Sequence, residues 1–192
     1  LNGRLAQGPA FGGPVSSSSP NRADIAADLM PRLRGLMTGA RRKVGHFCDD
    51  AETLEFVNSA NFGRLAALGT SCPDHFLRTK IAPLTLDPAH LRDDAYLAER
   101  LAAYRDFYAA YYQRCKRANS PAMRDPNPVV VLVPGLGRIA FAADKTTARL
   151  ASEFYGNAIN VMRGAEAIGG YVALDEQEAF DIEYWLLEEA KL

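Results

Sequence analysis

One apolar stretch interrupted by two glycines constrains the fold of this 192-residue chain more than any other feature. The stretch reads VVVLVPGLGRIAFAADK and covers residues 129–145. Its β-branched and aliphatic residues predict a buried strand that leads directly into Gly135 and Gly137. Two structures fit such a pattern: a G-x-G-x-x-A dinucleotide-binding turn or a β-hairpin.

The residues after the glycines decide between these two interpretations. A dinucleotide-binding turn opens a helix, because the pyrophosphate binds at the helix N-terminus. Here apolar and smaller residues alternate after Gly137, which favours a second strand. The acidic residue expected about 20 positions further on would be Glu153, in the middle of a predicted helix. We therefore predict a hairpin in which Gly135 and Gly137 supply the turn.

The amino-acid composition limits which kinds of binding partner, and which cellular compartment, we expect for this protein. Hydrophobic residues make up 48% and charged residues 23% of the chain, a balance typical of globular domains. The net charge of −1 gives no electrostatic reason to expect nucleic acid or an anionic membrane as a partner. Three widely spaced cysteines without a C-x-x-C motif suit free thiols and a reducing compartment, so we expect a cytoplasmic protein.

The chain divides into a linker-like N-terminal segment and a periodic body. Residues 1–22 are rich in Gly, Pro and Ser and are predicted to form an arm or linker. Residues 23–192 are predicted to form a single α/β domain with an antiparallel or mixed sheet flanked by helices. A short strand is expected over 44–50, and helices are expected over 24–39, 51–69 (one or two short ones), 89–118, 144–168 and 175–191. Asp144 and Asp175 are expected to cap the last two helices.

The long predicted helix over 89–118 carries one continuous apolar and aromatic face. We call this the tyrosine face; its members are Leu97, Leu101, Tyr104, Tyr108, Tyr111 and Cys115. Their steps of three and four residues place them on one side of a helix. Tyrosines with this spacing are typical of a core or of an interface between subunits, because the ring packs while the hydroxyl reaches the rim.

The densest cluster of polar residues lies at 72–80, in a segment predicted to be an irregular, proline-bounded loop. Its His75, Arg78 and Lys80 are the candidate ligands for a sugar phosphate or a carboxylate. The alternative is a solvated loop in which Lys80 is exposed. Glu183 is expected to be a surface or helix-pair acid. No two histidines have the spacing of a metal pair, so no metal site is expected within this chain.

Four segments of the chain together resemble a known family. They are CPDHFLRTK at 72–80, VVLVPGLGRIAFAADKTTARLASEFY at 130–155, VMRGAEAIGGYVAL at 161–174 and EAFDIEYWLLEEAKL at 178–192. The family is the bifunctional fusion of rhamnulose-1-phosphate aldolase, a class II aldolase/adducin-like enzyme, with a short-chain alcohol dehydrogenase. The similarity extends over roughly residues 40–192, and this chain resembles the segment between the aldolase core and the dehydrogenase.

The resemblance implies a fragment of a sugar-metabolising enzyme. The parent protein would use zinc in its aldolase part and NAD(P) in its dehydrogenase part. The H-x-H metal pair, the dehydrogenase glycine motif and its Tyr-x-x-x-Lys pair are absent from this chain. Pro134-Gly135 stands where the aldolase would carry its metal-binding His-Gly. The chain is thus expected to be a class II aldolase-like half without a cofactor of its own.

Two roles remain open for such a segment. It would either complete the aldolase fold or dock the dehydrogenase, with the rest of the fusion polypeptide and a small sugar phosphate as partners and with a homo-oligomeric assembly. Alternatively it would be a non-catalytic scaffold whose tyrosine face forms an oligomer interface.

Overall fold

A computed structural model describes residues 8–37 and 42–185 of the chain. The helices are α1 Arg22–Met37, α2 Ala51–Val57, α3 Phe62–Leu68, α4 Pro73–Thr79, α5 Asp94–Cys115, α6 Lys145–Ile168 and α7 Glu176–Glu183. The strands are β1 Val44–Cys48, β2 Leu84–Thr85, β3 Val130–Val133 and β4 Gly137–Ala142. No helix in the two described ranges has the length and apolar character that crossing a membrane requires.

The four strands form one mixed sheet in the order β1-β4-β3-β2. β4 runs antiparallel to both β1 and β3, whereas β2 runs parallel to β3. The predicted fold class, an α/β protein with a mixed sheet flanked by helices, is confirmed.

The predicted hairpin is present, and each glycine has its own reason to be there. Gly135 has φ 76° and lies in the turn between β3 and β4. Gly137 has φ 132°, and a Cβ on it would lie 2.5 Å from the carbonyl oxygen of Cys48. The segment that follows is β4 rather than a helix, which removes the dinucleotide-binding interpretation.

The sheet is buried on both faces, which explains the unbroken apolar run of β3. Val131 and Val133 point into a core that also contains side chains of α1 and α5. Val130 and Leu132 point into a second core on the opposite face, together with α2, α3 and α6. Alternation along the strand thus assigns consecutive residues to different cores.

The tyrosine face of α5 is buried inside the chain along its whole length. Its rings contact α7: Tyr111 lies with its ring centroid 5.7 Å from that of Phe180. A core role for this face is therefore confirmed, and an oligomer interface on it is wrong, because α7 of the same chain occupies the position that a partner subunit would need.

Two predicted elements differ from the structure. Residues 72–80 do not form an irregular loop, because α4 occupies 73–79. Pro73 stands in the first turn of this helix, where a missing N–H costs nothing. The last described helix ends at Glu183, earlier than its pattern predicts, and Tyr184 already has the non-helical ψ of 21°. Residues 186–192 lie outside the described ranges.

The described part of the N-terminal segment, residues 8–21, lies against the body of the domain. Phe11 is buried, and its ring centroid is 5.2 Å from that of Phe56 on α2. The backbone of Val15 and Ser16 donates to the carbonyl oxygen of Asn58. Residues 1–7 of the predicted arm lie outside the described ranges.

Candidate functional site

Two of the three candidate ligands lie on α4 and the third directly follows it, but the three do not converge. His75 and Lys80 are 4% and 6% exposed, and Arg78 is half-buried. The alternative expectation of an exposed Lys80 in a solvated loop is therefore wrong. α4 carries His75 toward α6, whereas Lys80, at the end of the helix, contributes its side chain to contacts with α5 and the segment 125–127. Their role as phosphate ligands remains a prediction.

His75 is packed as an aromatic residue. Its ring lies edge-on to that of Phe154 on α6, with centroids 5.4 Å apart. Its Nδ1 has no hydrogen-bond partner among the described residues. Burial lowers the pKa of His75 below its usual value, because the charged imidazolium would lose its hydration. A neutral, buried imidazole is a poor partner for an anion.

Lys80 ends α4 with an unusual backbone. Its φ of 64° lies in the left-handed region, which a residue with a side chain rarely adopts. The ammonium donates to the carbonyl oxygens of Asp125 and Asn127, the latter at 2.8 Å. It also lies 3.8 Å from the ring centroid of Tyr108, in cation–π geometry. Strained backbone at a buried charge is a feature that clusters at functional sites.

Glu183, the last residue of α7, lies in the same interior region with no exposed surface. Tyr108 donates its hydroxyl to one carboxylate oxygen at 2.6 Å, and Tyr111 donates to the other at 3.2 Å. The hydroxyl of Tyr184 is 2.7 Å from that of Tyr108. Of the two expectations for Glu183, a surface acid is wrong, whereas a helix-pair acid agrees with its bonds from α7 to two tyrosines of α5. We call Lys80, Glu183 and these three tyrosines the lysine–glutamate network.

Burial sets the proton affinities in the lysine–glutamate network. It lowers the pKa of Lys80 to about 7, although the negative charges of Glu183 and Asp125 oppose the shift. Burial likewise raises the pKa of Glu183, against the hydrogen bond from Tyr108 and the charge of Lys80. Both shifts have the same cause, because each group loses water that would stabilise its charged form.

The lysine–glutamate network connects elements that are far apart in the chain. Lys80 follows α4, Tyr108 is on α5, and Glu183 is on α7, while the carbonyls of Asp125 and Asn127 come from the loop before β3. Asn127 is itself fixed, since its side-chain amide donates to the carbonyl oxygen of Met37 at the end of α1. All five network residues are buried, so the role of the network is structural: it holds four segments of the chain in one position.

A second buried polar cluster surrounds Arg138 on β4. Its guanidinium donates to the carboxylate of Asp50 at 2.8 Å, to Thr53 and, at 2.9 Å, to Ser152 on α6. Asp50 also caps α2 by accepting from the backbone N–H of Thr53 at 2.8 Å. Burial would raise the pKa of Asp50, but hydrogen bonds from Thr53 and Cys48 and the charge of Arg138 lower it to about 2.

The sequence pattern was not used to predict the burial of Arg138 and Glu183, and only for Glu183 does the sequence contain a pattern that indicates it. Glu183 continues the buried stripe of Ala179 and Phe180 at helical spacing, so its position on the apolar side of α7 could have been recognised. Arg138 stands in a strand pattern that gave no hint of its partners, because Asp50 and Ser152 are brought to it only by the fold.

Metal-binding side chains do not gather in the part of the chain that the structure describes. Within residues 8–37 and 42–185, no group of three or more His, Cys, Asp or Glu residues is arranged so that it could hold a metal ion.

Comparison with known proteins is consistent with this mixed α/β fold. Residues 24–192 match the family of the aldolase class II second domain, and the chain belongs to that family. A relative is the uncharacterized oxidoreductase YuxG of Bacillus subtilis (strain 168), which is 33% identical over 199 residues. The alignment covers all of this chain but only 29% of that protein. No solved structure matches the chain.

Proposed function

We propose that this chain is the second domain of the aldolase part of a fusion enzyme that also carries a short-chain, NAD(P)-dependent dehydrogenase. The family match over residues 24–192 is the observation that carries the aldolase assignment. The dehydrogenase is supported by the relative, which is named an oxidoreductase and of which this chain covers 29%. The resemblance of the segments at 130–155 and 178–192 to the rhamnulose-1-phosphate aldolase fusion supports the particular sugar.

In this proposal the chain itself does not catalyse a reaction but completes the aldolase fold. The charged groups that it buries are engaged within the chain: Arg138 with Asp50, and Lys80 with main-chain carbonyls. Zinc would be held by histidines of the aldolase's other part, and NAD(P) by the dehydrogenase. We place the enzyme in the cytoplasm, which the three free thiols support.

The test is an activity assay of the parent polypeptide. Purified parent enzyme is expected to cleave rhamnulose 1-phosphate to dihydroxyacetone phosphate and lactaldehyde, followed by a coupled assay for dihydroxyacetone phosphate. The 192-residue chain alone is expected to show no turnover under the same conditions. A parent reading frame without an aldolase part, or cleavage by the isolated chain, would contradict the proposal.

A substitution separates a site role of the 72–80 segment from a purely structural one. Arg78 is half-buried, so Arg78→Ala in the parent enzyme should leave folding intact. If Arg78 contacts the sugar phosphate, the KM for rhamnulose 1-phosphate should rise roughly tenfold or more with an unchanged melting temperature. Arg92→Ala, at an exposed position outside this segment, is the control. An unchanged KM would show that Arg78 does not bind the substrate.

A further inference from the structure

Three large apolar side chains are exposed together on one side of the molecule. Phe107 on α5 and Leu68 on α3 are each 40% exposed, and Val172 is 81% exposed. They line two adjoining pockets that share Ala67, Ala82 and Phe107, and we call the pair, whose lining also includes Leu68, Leu84 and Val172, the apolar groove. The groove encloses about 270 Å³ on the β2 side of Phe107 and about 500 Å³ on the side of Val172.

The apolar groove has fixed walls. Tyr104 donates its hydroxyl to the carbonyl oxygen of Ala82 at 2.8 Å, which ties α5 to the segment before β2. Tyr171 donates to the carbonyl oxygen of Gly69 at 2.9 Å, which ties the segment after α6 to the end of α3. These two bonds fix the backbone segments on either side of the groove, which lowers the conformational entropy that binding costs.

The floor of the apolar groove is an edge of the sheet. Leu84 and Thr85 of β2 line it, between α3 and α5. In the described part of the chain β2 pairs with β3 alone, so its outer side has no neighbouring strand. Leu84 itself is buried, so the exposed part of this surface is apolar side chain, which proteins normally cover when it is contiguous.

Charge is confined to the ends of the apolar groove. Arg100 lies at the end near β2, and Asp175 and Glu176 lie at the end near Val172. An apolar centre with charged residues at its ends is the arrangement found in protein interfaces, which have an apolar core and a polar rim.

We infer that an apolar segment of the aldolase's first domain occupies this groove and packs on Phe107. The inference rests on the proposed function. A second domain of an aldolase implies a first one. The alignment covers 29% of the relative, so the remaining 71% of its length lies outside the aligned region. Two domains that together build one aldolase fold share an interface, and the apolar groove is an exposed apolar surface suited to one.

Thiol labelling tests whether the groove is covered. Phe107→Cys is introduced into the isolated chain and into the parent polypeptide, and iodoacetamide labelling at position 107 is followed by peptide mass spectrometry. Labelling should be roughly tenfold slower or more in the parent, because a covered thiol is out of reach of the reagent. Ile168→Cys is the matched control, because Ile168 is 53% exposed and lies outside the groove, and it should label equally in both.

Cross-linking identifies the occupant. A benzophenone attached to the thiol of the Phe107→Cys parent polypeptide should cross-link to peptides of the aldolase's first domain. The wild-type parent, treated with the same reagent, gives the background from the native cysteines. Cross-links to the dehydrogenase part overturn the inference, as does equal labelling of position 107 in the isolated chain and the parent. Protection that appears in the isolated chain and grows with its concentration also overturns it, since a second copy would then be the occupant.

The same preparation separates the two proposals. Wild-type parent enzyme that cleaves rhamnulose 1-phosphate, together with an unprotected position 107 in the Phe107→Cys variant, supports the proposed function and overturns the inference. Protection with a cross-link to the segment upstream of this chain, without any aldolase turnover, supports the contact and overturns the proposed activity.

Discussion

At the scale of single residues, the largest energetic effect is the cost of burying charged groups. Lys80 is buried with its ammonium against two carbonyl oxygens and the face of Tyr108. These contacts replace part of the hydration that the ammonium loses, and the Glu183 carboxylate supplies a nearby negative charge. Breaking one member of such a network is costly, because the remaining groups stay buried without partners.

Lys80→Met should destabilise the chain by roughly 2–4 kcal/mol at about pH 9, where the buried amine of the wild type is neutral and no cost of charging it offsets its hydrogen bonds. Methionine fits the apolar part of the site but leaves two carbonyl oxygens without their donor. Urea denaturation measures the effect. Lys145→Met, at an exposed position in the first turn of α6, should change the free energy of unfolding by less than about 0.5 kcal/mol. A loss at Lys80 as small as that of the control would show that the network contributes nothing.

The difference in the free energy of unfolding between the wild type and Lys80→Met should depend on pH, and the pKa of Lys80 fixes the sign of this dependence. The pKa of Lys80 is about 7 in the folded chain and 10.5 in its ordinary, hydrated state. Between these values the unfolded chain binds a proton that the folded chain does not, so this residue makes the free energy of unfolding rise with pH. Relative to Lys80→Met, the wild type should gain roughly 2 kcal/mol between about pH 7 and pH 9. A flat or falling difference across this range would contradict the lowered pKa.

At the scale of secondary-structure elements, the β3–β4 hairpin organises its surroundings. The backbone N–H of Gly135 donates to the side-chain oxygen of Asn58 at 2.7 Å, and its carbonyl accepts from Ser19 at 2.8 Å. The turn thus fixes both the end of α2 and the N-terminal segment. Gly137 is required for a different reason, because the backbone of β1 approaches it closely.

Gly137→Ala should cost roughly 2–4 kcal/mol of stability, since the new Cβ would meet the Cys48 carbonyl at 2.5 Å and φ is 132°. Gly164→Ala is the matched control: Gly164 lies within α6, and an added Cβ would have no heavy atom within 4 Å. This second change should stabilise the chain by about 0.5–1 kcal/mol. Thermal denaturation compares the two; equal effects would refute the close-approach argument.

Local pattern predicts most elements well and fails where tertiary contacts override it. Asp144 and Asp175 are helix caps as predicted, and both accept a backbone N–H at 2.9 Å. The proline, the charges and the histidine of residues 72–80 are typical of a loop, which is why the sequence predicts one there. The segment forms α4 instead, because His75, Phe76 and Thr79 bury one side of this two-turn helix against α6 and α7.

At the scale of the whole molecule, the two cores explain how the chain is held together. The core on the α1 and α5 side contains most of the tyrosines, whereas the core on the α6 side is closed by Phe11 from the N-terminal segment. Arg138 connects β4 to α6, and the lysine–glutamate network connects α5 to α7 within the first core.

Phe11→Ala should cost about 3 kcal/mol, because a fully buried aromatic ring is removed from its contact with Phe56. Val15→Ala, in the same segment at 70% exposure, should cost less than about 0.5 kcal/mol. Denaturant unfolding of both variants decides whether the N-terminal segment is part of the folded domain. If Phe11→Ala is as mild as the control, the segment is only an attached arm.

Local sequence is enough to specify the hairpin, the helix caps, the buried face of α5 and the mixed α/β class, and its motifs indicate the aldolase family to which the chain belongs. These features follow from side-chain periodicity and from backbone conformations that only certain residues adopt, and both are local. The burial of Lys80 and Glu183 and the exposure of the apolar groove emerge only when distant segments pack together. Tyr108 and Glu183 are 75 positions apart, so nothing near either residue in the sequence could reveal the other.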